Sequence, residues 1–109
     1  MSYVLIPRLT EEITIPEKGI LSHVVEKNDR LNITLFGFAA GQSLAAHSAP
    51  TPAMVQIIEG SARVQLGDDL VTMEAGAWVL MPPQLEHGIE AVSDVKLLLI
   101  QVKAAAAQG

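Results

Sequence analysis

Turn-forming residues recur along this chain about every eight to twelve residues, and the runs between them are short and apolar or alternating. Pro7, Pro16 to Gly19, Lys27-Asn28-Asp29, Gly41, Pro50 and Pro52, Gly60, Gly67-Asp68-Asp69, Ala75-Gly76, Pro82-Pro83 and Ser93-Asp94 supply the breaks. No segment between them carries apolar residues at helical spacing. The spacing therefore predicts an all-β sandwich or barrel.

The runs themselves read as strands. Tyr3 to Ile6 is a β-prone stretch stopped by Pro7, and Ile13 and Ile15 alternate with Thr14. Leu21 to Glu26 forms a further strand before the polar turn. Leu31, Ile33 and Leu35 share one face of the next strand, and Asn32, Thr34, Phe36 and Phe38 the other. Ala62 to Leu66 alternates apolar and polar, Gly67-Asp68-Asp69 makes a hairpin turn, and Leu70 to Glu74 returns. Val95 to Val102 is long, with Leu97 to Ile100 apolar on both faces, as in a strand covered on two sides. A chain of 109 residues is one domain, assigned to residues 1–103, with 104–109 a small-residue tail expected to fray.

Two stretches carry the chemistry, Gly41 to Gly60 (GQSLAAHSAPTPAMVQIIEG) and Gly76 to His87 (GAWVLMPPQLEH). Each starts with a Gly able to turn the chain, and each holds one His beside an apolar run. The first reads as a short strand ending at His47, a Pro-marked bend and a buried strand from Ala53 to Glu59. The second reads as a strand from Ala77 to Met81, a rigid Pro82-Pro83 corner and a strand leaving through His87.

These stretches resemble the two signature motifs of the cupin superfamily. Gly41, His47 and Gly60 fill places of the first motif, while Ala49 stands where its second His belongs and Ala53 where its Glu belongs. Gly76, Pro82 and His87 fit the second, with Gln84 in place of its Gly and Ala91 in place of its Asn. The resemblance covers roughly residues 30 to 102. It implies a double-stranded β-helix, a cupin or jelly-roll barrel of two antiparallel sheets. It also implies a metal ligand set of which half is missing.

His47 and His87 are expected to face one another across the barrel interior and share a cavity. Alternation from them gives a pocket of Phe36, Phe38, His47, Val55, Ile57, Val79, Met81, Leu85, His87 and Ile89. The wall is mostly apolar, which suits a small ligand without high charge. The same two His are candidate ligands for a divalent metal (Zn, Ni, Fe or Mn), imidazole being the commonest such donor. His23 is a candidate third nitrogen. Glu59 and Glu86 are carboxylates near the motifs, but Glu86 precedes an inward His and so points outward. Gln56 and Trp78 are out of phase with their inward neighbours, and Trp78 on an outer face is a candidate interface anchor.

Composition narrows the function classes. A net charge of −5 with only seven Lys and Arg argues against nucleic acid, which needs clustered cations. The same scarcity disfavours a membrane surface, and no run approaches the roughly 18 apolar residues of a membrane span. Cys is absent, which removes disulfides and thiolate chemistry and suits a reducing cytoplasm. The N-terminal apolar run is too short for a signal peptide, so a cytoplasmic location is expected. Half of the residues are hydrophobic, more than a domain this small hides alone, which points to a homodimer with Tyr3 to Ile6 as an exchanged edge strand. Three functions stay open: a small-molecule-binding cupin, a metal-dependent dioxygenase or isomerase on His47 and His87, and a structural or partner-binding dimer.

Overall fold

The turns and alternating runs build nine strands in the computed structural model, which describes residues 2–104. These are β1 (Ile20–Lys27), β2 (Leu31–Phe38), β3 (Ser43–His47), β4 (Ala53–Glu59), β5 (Ser61–Leu66), β6 (Asp69–Glu74), β7 (Trp78–Met81), β8 (His87–Ala91) and β9 (Val95–Val102). One sheet has the order β1-β2-β9-β4-β7 and the other β3-β8-β5-β6. Every pairing is antiparallel. From β2 onward the chain crosses between the sheets at nearly every connection, the jelly-roll arrangement. No α-helix occurs among the described residues; the one helical turn is a 3-10 segment, Leu9–Glu12.

Side-chain chemistry sets the turns. Between β1 and β2 the Asn28 Oδ1 accepts the backbone N–H groups of Arg30 at 2.8 Å and Leu31 at 3.0 Å, the self-capping that makes Asn a turn residue. Leu66 pairs with Asp69, so Gly67-Asp68 forms a two-residue hairpin loop with Gly67 at φ 63°.

The core lies between the sheets. β9 is bonded on both edges, to β2 and β4, and sends Val95 and Leu97 inward to near-complete burial. Phe38 and Ile57 are fully buried beside them, and Ala62, Val64 and Met73 close the core from the facing sheet. Each large aliphatic side chain so buried contributes about 1.5–3 kcal/mol. Leu98 and Ile100, on the outer face of β9, are half-buried. β9 is thus apolar on both faces, as its sequence requires.

The N-terminal segment differs from expectation. Tyr3, Val4 and Leu5 form no strand and are exposed. The apolar anchor is instead Ile13, which is buried. The backbone of Thr14 and Ile15 runs against Gly37, where a Cβ would lie 3.0 Å from the Thr14 carbonyl oxygen. Lys96 Nζ holds this segment by donating to the Thr10 carbonyl at 2.6 Å. The tail beyond Ala104 lies outside the described residues.

Two backbone positions generate tests. Gly60 has φ +87°, and a Cβ there would collide with the Asp94 carbonyl oxygen, whereas a Cβ at Gly76 (φ +94°) meets nothing within 4 Å. Gly76→Ala should therefore cost only the left-handed penalty of about 1–2 kcal/mol, and Gly60→Ala clearly more, read as a gap between their denaturation midpoints. Gln84 adopts φ 71° at the position where the cupin motif carries Gly. Gln84→Gly should raise stability by about 0.5–1 kcal/mol, the steric relief less the entropy of Gly; urea denaturation showing a loss would contradict this.

Candidate functional site

The site depends on how β3 pairs with β8. Leu44 lies opposite Ile89 and His47 opposite His87, with a register shift between them. Ala45 and Ala46 on β3 therefore face the single residue Gly88 on β8, a β-bulge. A simple strand would send Leu44 and His47, three residues apart, to opposite faces. The extra residue restores the phase, so both line the same cavity as His87 and Ile89. Gly88 accommodates the bulge, since a Cβ there would lie 3.1 Å from the Ala46 nitrogen and 3.2 Å from the Leu44 oxygen.

The two imidazoles are neighbours on one sheet, not partners across the interior as the sequence suggested. Their ring centroids are 4.4 Å apart with planes inclined at 56°. Nδ1 of His47 lies 3.1 Å from the Ala45 carbonyl oxygen and Nδ1 of His87 lies 2.9 Å from that of Leu85. A carbonyl can only accept, so each Nδ1 carries the proton and donates it. In the neutral rings Nε2 is then left as a lone-pair acceptor. His47 is exposed and His87 half-buried, which places the pair at the cavity mouth.

The cavity holds about 80 Å³ and is bounded by both sheets. Of the residues expected in it, Phe36, Phe38, His47, Val55, Met81, His87 and Ile89 line it. Ile57, Val79 and Leu85 do not. Ile57 is fully buried opposite Leu97, in the closed core. Val79 pairs with Val55 and is half-buried against the core. Leu85 belongs to the turn after the Pro82-Pro83 corner, where strand alternation does not operate, and its side chain packs near Gly67. Its contribution is the carbonyl that orients His87.

Beside Ala49 and Ala53 at the two altered motif positions, Leu44, Val64, Gly88, Leu97, Leu99 and Gln101 also line the cavity, and alternation from the two His did not reach them. Leu44 is out of phase with His47 until the bulge is known. Gln101 continues the inward series of Leu97 and Leu99 by period two, a signal available in the sequence. It pairs across the ladder with Ala53, the position where the motif calls for Glu. Asn32 Nδ2 donates to Gln101 Oε1 at 3.2 Å.

The other candidates lie elsewhere. His23 pairs with Leu35 on the face of β2 opposite Phe36 and Phe38 and is exposed, so it cannot reach the cavity. Glu59 is half-exposed with its carboxylate 3.8 Å from Lys96 Nζ. Glu86 and Gln56 are exposed, and Trp78 is 55% exposed on the outer face.

The donor set does not fit a tightly held metal ion. Among the described residues no group of three or more His, Cys, Asp or Glu is arranged to hold one. Mononuclear sites draw three or four protein ligands, and here two imidazoles stand beside Ala49, Ala53 and a neutral amide. No charged side chain lines the cavity.

Comparison with known proteins agrees with this architecture. The family model described as "Cupin domain" matches residues 34–102. A conserved protein of unknown function from Streptococcus pyogenes is 30% identical, superposes with a TM-score of 0.86, and is matched over 97% of this chain and 93% of that one. A cupin superfamily protein from Desulfitobacterium hafniense shares 24% identity at a TM-score of 0.85, covering 93% and 95% of the two chains. An RmlC-like cupin from Desulfovibrio desulfuricans shares 25% identity at a TM-score of 0.80, covering 92% and 97%. No curated protein matches the chain. With the family model spanning more than half of its length and both motif histidines in one cavity, the chain belongs to the cupin family.

Proposed function

We propose that this cupin binds a small, weakly charged molecule in the cavity beneath His47 and His87. The observation that carries this reading is the cavity wall. It combines two imidazole acceptors and one amide with Phe36, Phe38, Val55 and Met81, and it has no carboxylate, third imidazole or cation. Such a wall offers apolar contact and a few oriented polar points, the usual make-up of a ligand site.

A second reading, a metal-dependent dioxygenase or isomerase on His47 and His87, draws support from ring orientation. An imidazole tied through Nδ1 to a carbonyl presents Nε2 in the manner of a metal ligand. The donor count weighs against it. Metal analysis after purification without an affinity tag separates the two. The first reading expects well under one ion per chain, and His47→Ala and His87→Ala that fold with little loss of stability. A stoichiometric ion abolished by either substitution would establish the second.

The proposal includes a homodimer. Trp78 and Leu80 stand exposed on the outer face of β7, in register with Gln56 and Met54, and these in turn with Leu98 and Ile100. A patch of this extent on a sheet face, apolar but for Gln56, suits a subunit interface, and the exposed Tyr3 to Leu5 supplies a segment able to add to a partner's edge. No described helix is long and apolar enough to cross a membrane. Light scattering at micromolar concentration should give twice the chain mass, falling to the monomer in Trp78→Glu; a monomeric parent protein would contradict the dimer.

A further inference from the structure

We infer that the cavity selects its ligand by a hydroxyl group, held between a histidine Nε2 and the side-chain amide of Gln101. This rests on the small-molecule site proposed above and specifies its chemistry. Each Nδ1–H is engaged by a backbone carbonyl, that of Ala45 or Leu85, so the neutral imidazoles turn only acceptors toward a ligand. Gln101 is oriented in the opposite sense. Its Oε1 accepts from Asn32 Nδ2 at 3.2 Å, which leaves Nε2, a donor, as the free end of an amide lining the same cavity.

The polar points of the wall thus ask for one group that donates to imidazole and accepts from an amide. A hydroxyl does both. A carboxylate or phosphate brings acceptors to two imidazole acceptors, and the lining contains no Lys or Arg to offset its charge. A purely apolar molecule leaves the Gln101 donor unmatched. Beside the cavity, Asn32 Oδ1 is buried with no protein donor among the described residues, and orphaned buried acceptors are uncommon.

Size limits the ligand further. The cavity of about 80 Å³ is roughly half of the 150 Å³ that admits benzene in a dry protein interior. The buried part is accordingly a short aliphatic or hydroxyalkyl unit, and any larger portion projects past the exposed His47.

The test compares three probes of matched chain length, 1-butanol, butyrate and 1-chlorobutane, against the full chain. Binding is followed through the ¹⁵N resonances of the histidine rings and the Gln101 amide. Butanol should move both sets and bind about fivefold to a hundredfold more tightly than either of the others, the span of two net hydrogen bonds. Gln101→Leu should reduce that preference by about threefold to tenfold, with chlorobutane held at least as tightly as by the unmodified chain. Butyrate or chlorobutane binding as tightly as butanol to the unmodified protein overturns the inference without reference to any variant. So does an unchanged butanol preference in a folded Gln101→Leu. Should no probe disturb a cavity resonance, the small-molecule pocket itself fails along with it.

Discussion

The bulge in β3 opposite Gly88 is the constraint on which the site depends. One extra residue, between Leu44 and His47, rotates the end of the strand so that His47 comes level with His87. The same local geometry places the Ala45 carbonyl against His47 Nδ1, and the turn before β8 places that of Leu85 against His87 Nδ1. Backbone shape therefore fixes ring position, ring orientation and tautomer together. A second link ties the motif loops to each other, as Gln84 N donates to the Ala49 carbonyl at 2.7 Å. That bond spans from the β7–β8 turn to the β3–β4 bend, and it helps explain why a residue at φ 71° is tolerated there.

Loss of donors and gain of apolar wall are two sides of one change. Ala49 and Ala53 line the cavity at the places where the family motif carries His and Glu. Removing a carboxylate also removes the charge that the imidazole pair would otherwise use to hold a cation. What remains level with Ala53 is Gln101, a neutral amide with hydrogen-bonding capacity and no charge. The site keeps directionality and gives up strong electrostatics, a balance suited to recognising a neutral molecule. The framework around it is unaffected, because Val55, Leu97 and Met81 bury their side chains whether or not a ligand-bearing residue stands at position 53.

Much of this was legible in the sequence, and the rest was not for identifiable reasons. Turn spacing and period-two runs gave the all-β architecture, and the outward placement of Trp78 and Gln56 followed from phase alone. Phase states which face a residue occupies and says nothing of its depth. Ile57 faces inward and lies below the cavity floor, in the core. Bulges are invisible to alternation, so Leu44 was passed over. Leu85 was projected from a strand that had not yet begun. The Tyr3 to Ile6 run has strand-forming side chains without a partner edge in the single chain, and propensity forms no strand without pairing. Gln101 could have been found by extending the Leu97 and Leu99 series two residues further.

The central claim is that two proton-fixed imidazoles present Nε2 acceptors to an apolar cavity. Long-range ¹H–¹⁵N correlation of the histidine rings, in metal-free protein at mildly alkaline pH, reads the tautomer of each directly. The account expects the Nδ1–H form for both His47 and His87, with both Nε2 atoms unprotonated. An Nε2–H tautomer at either ring would contradict it, since that ring would then offer the cavity a donor in place of an acceptor.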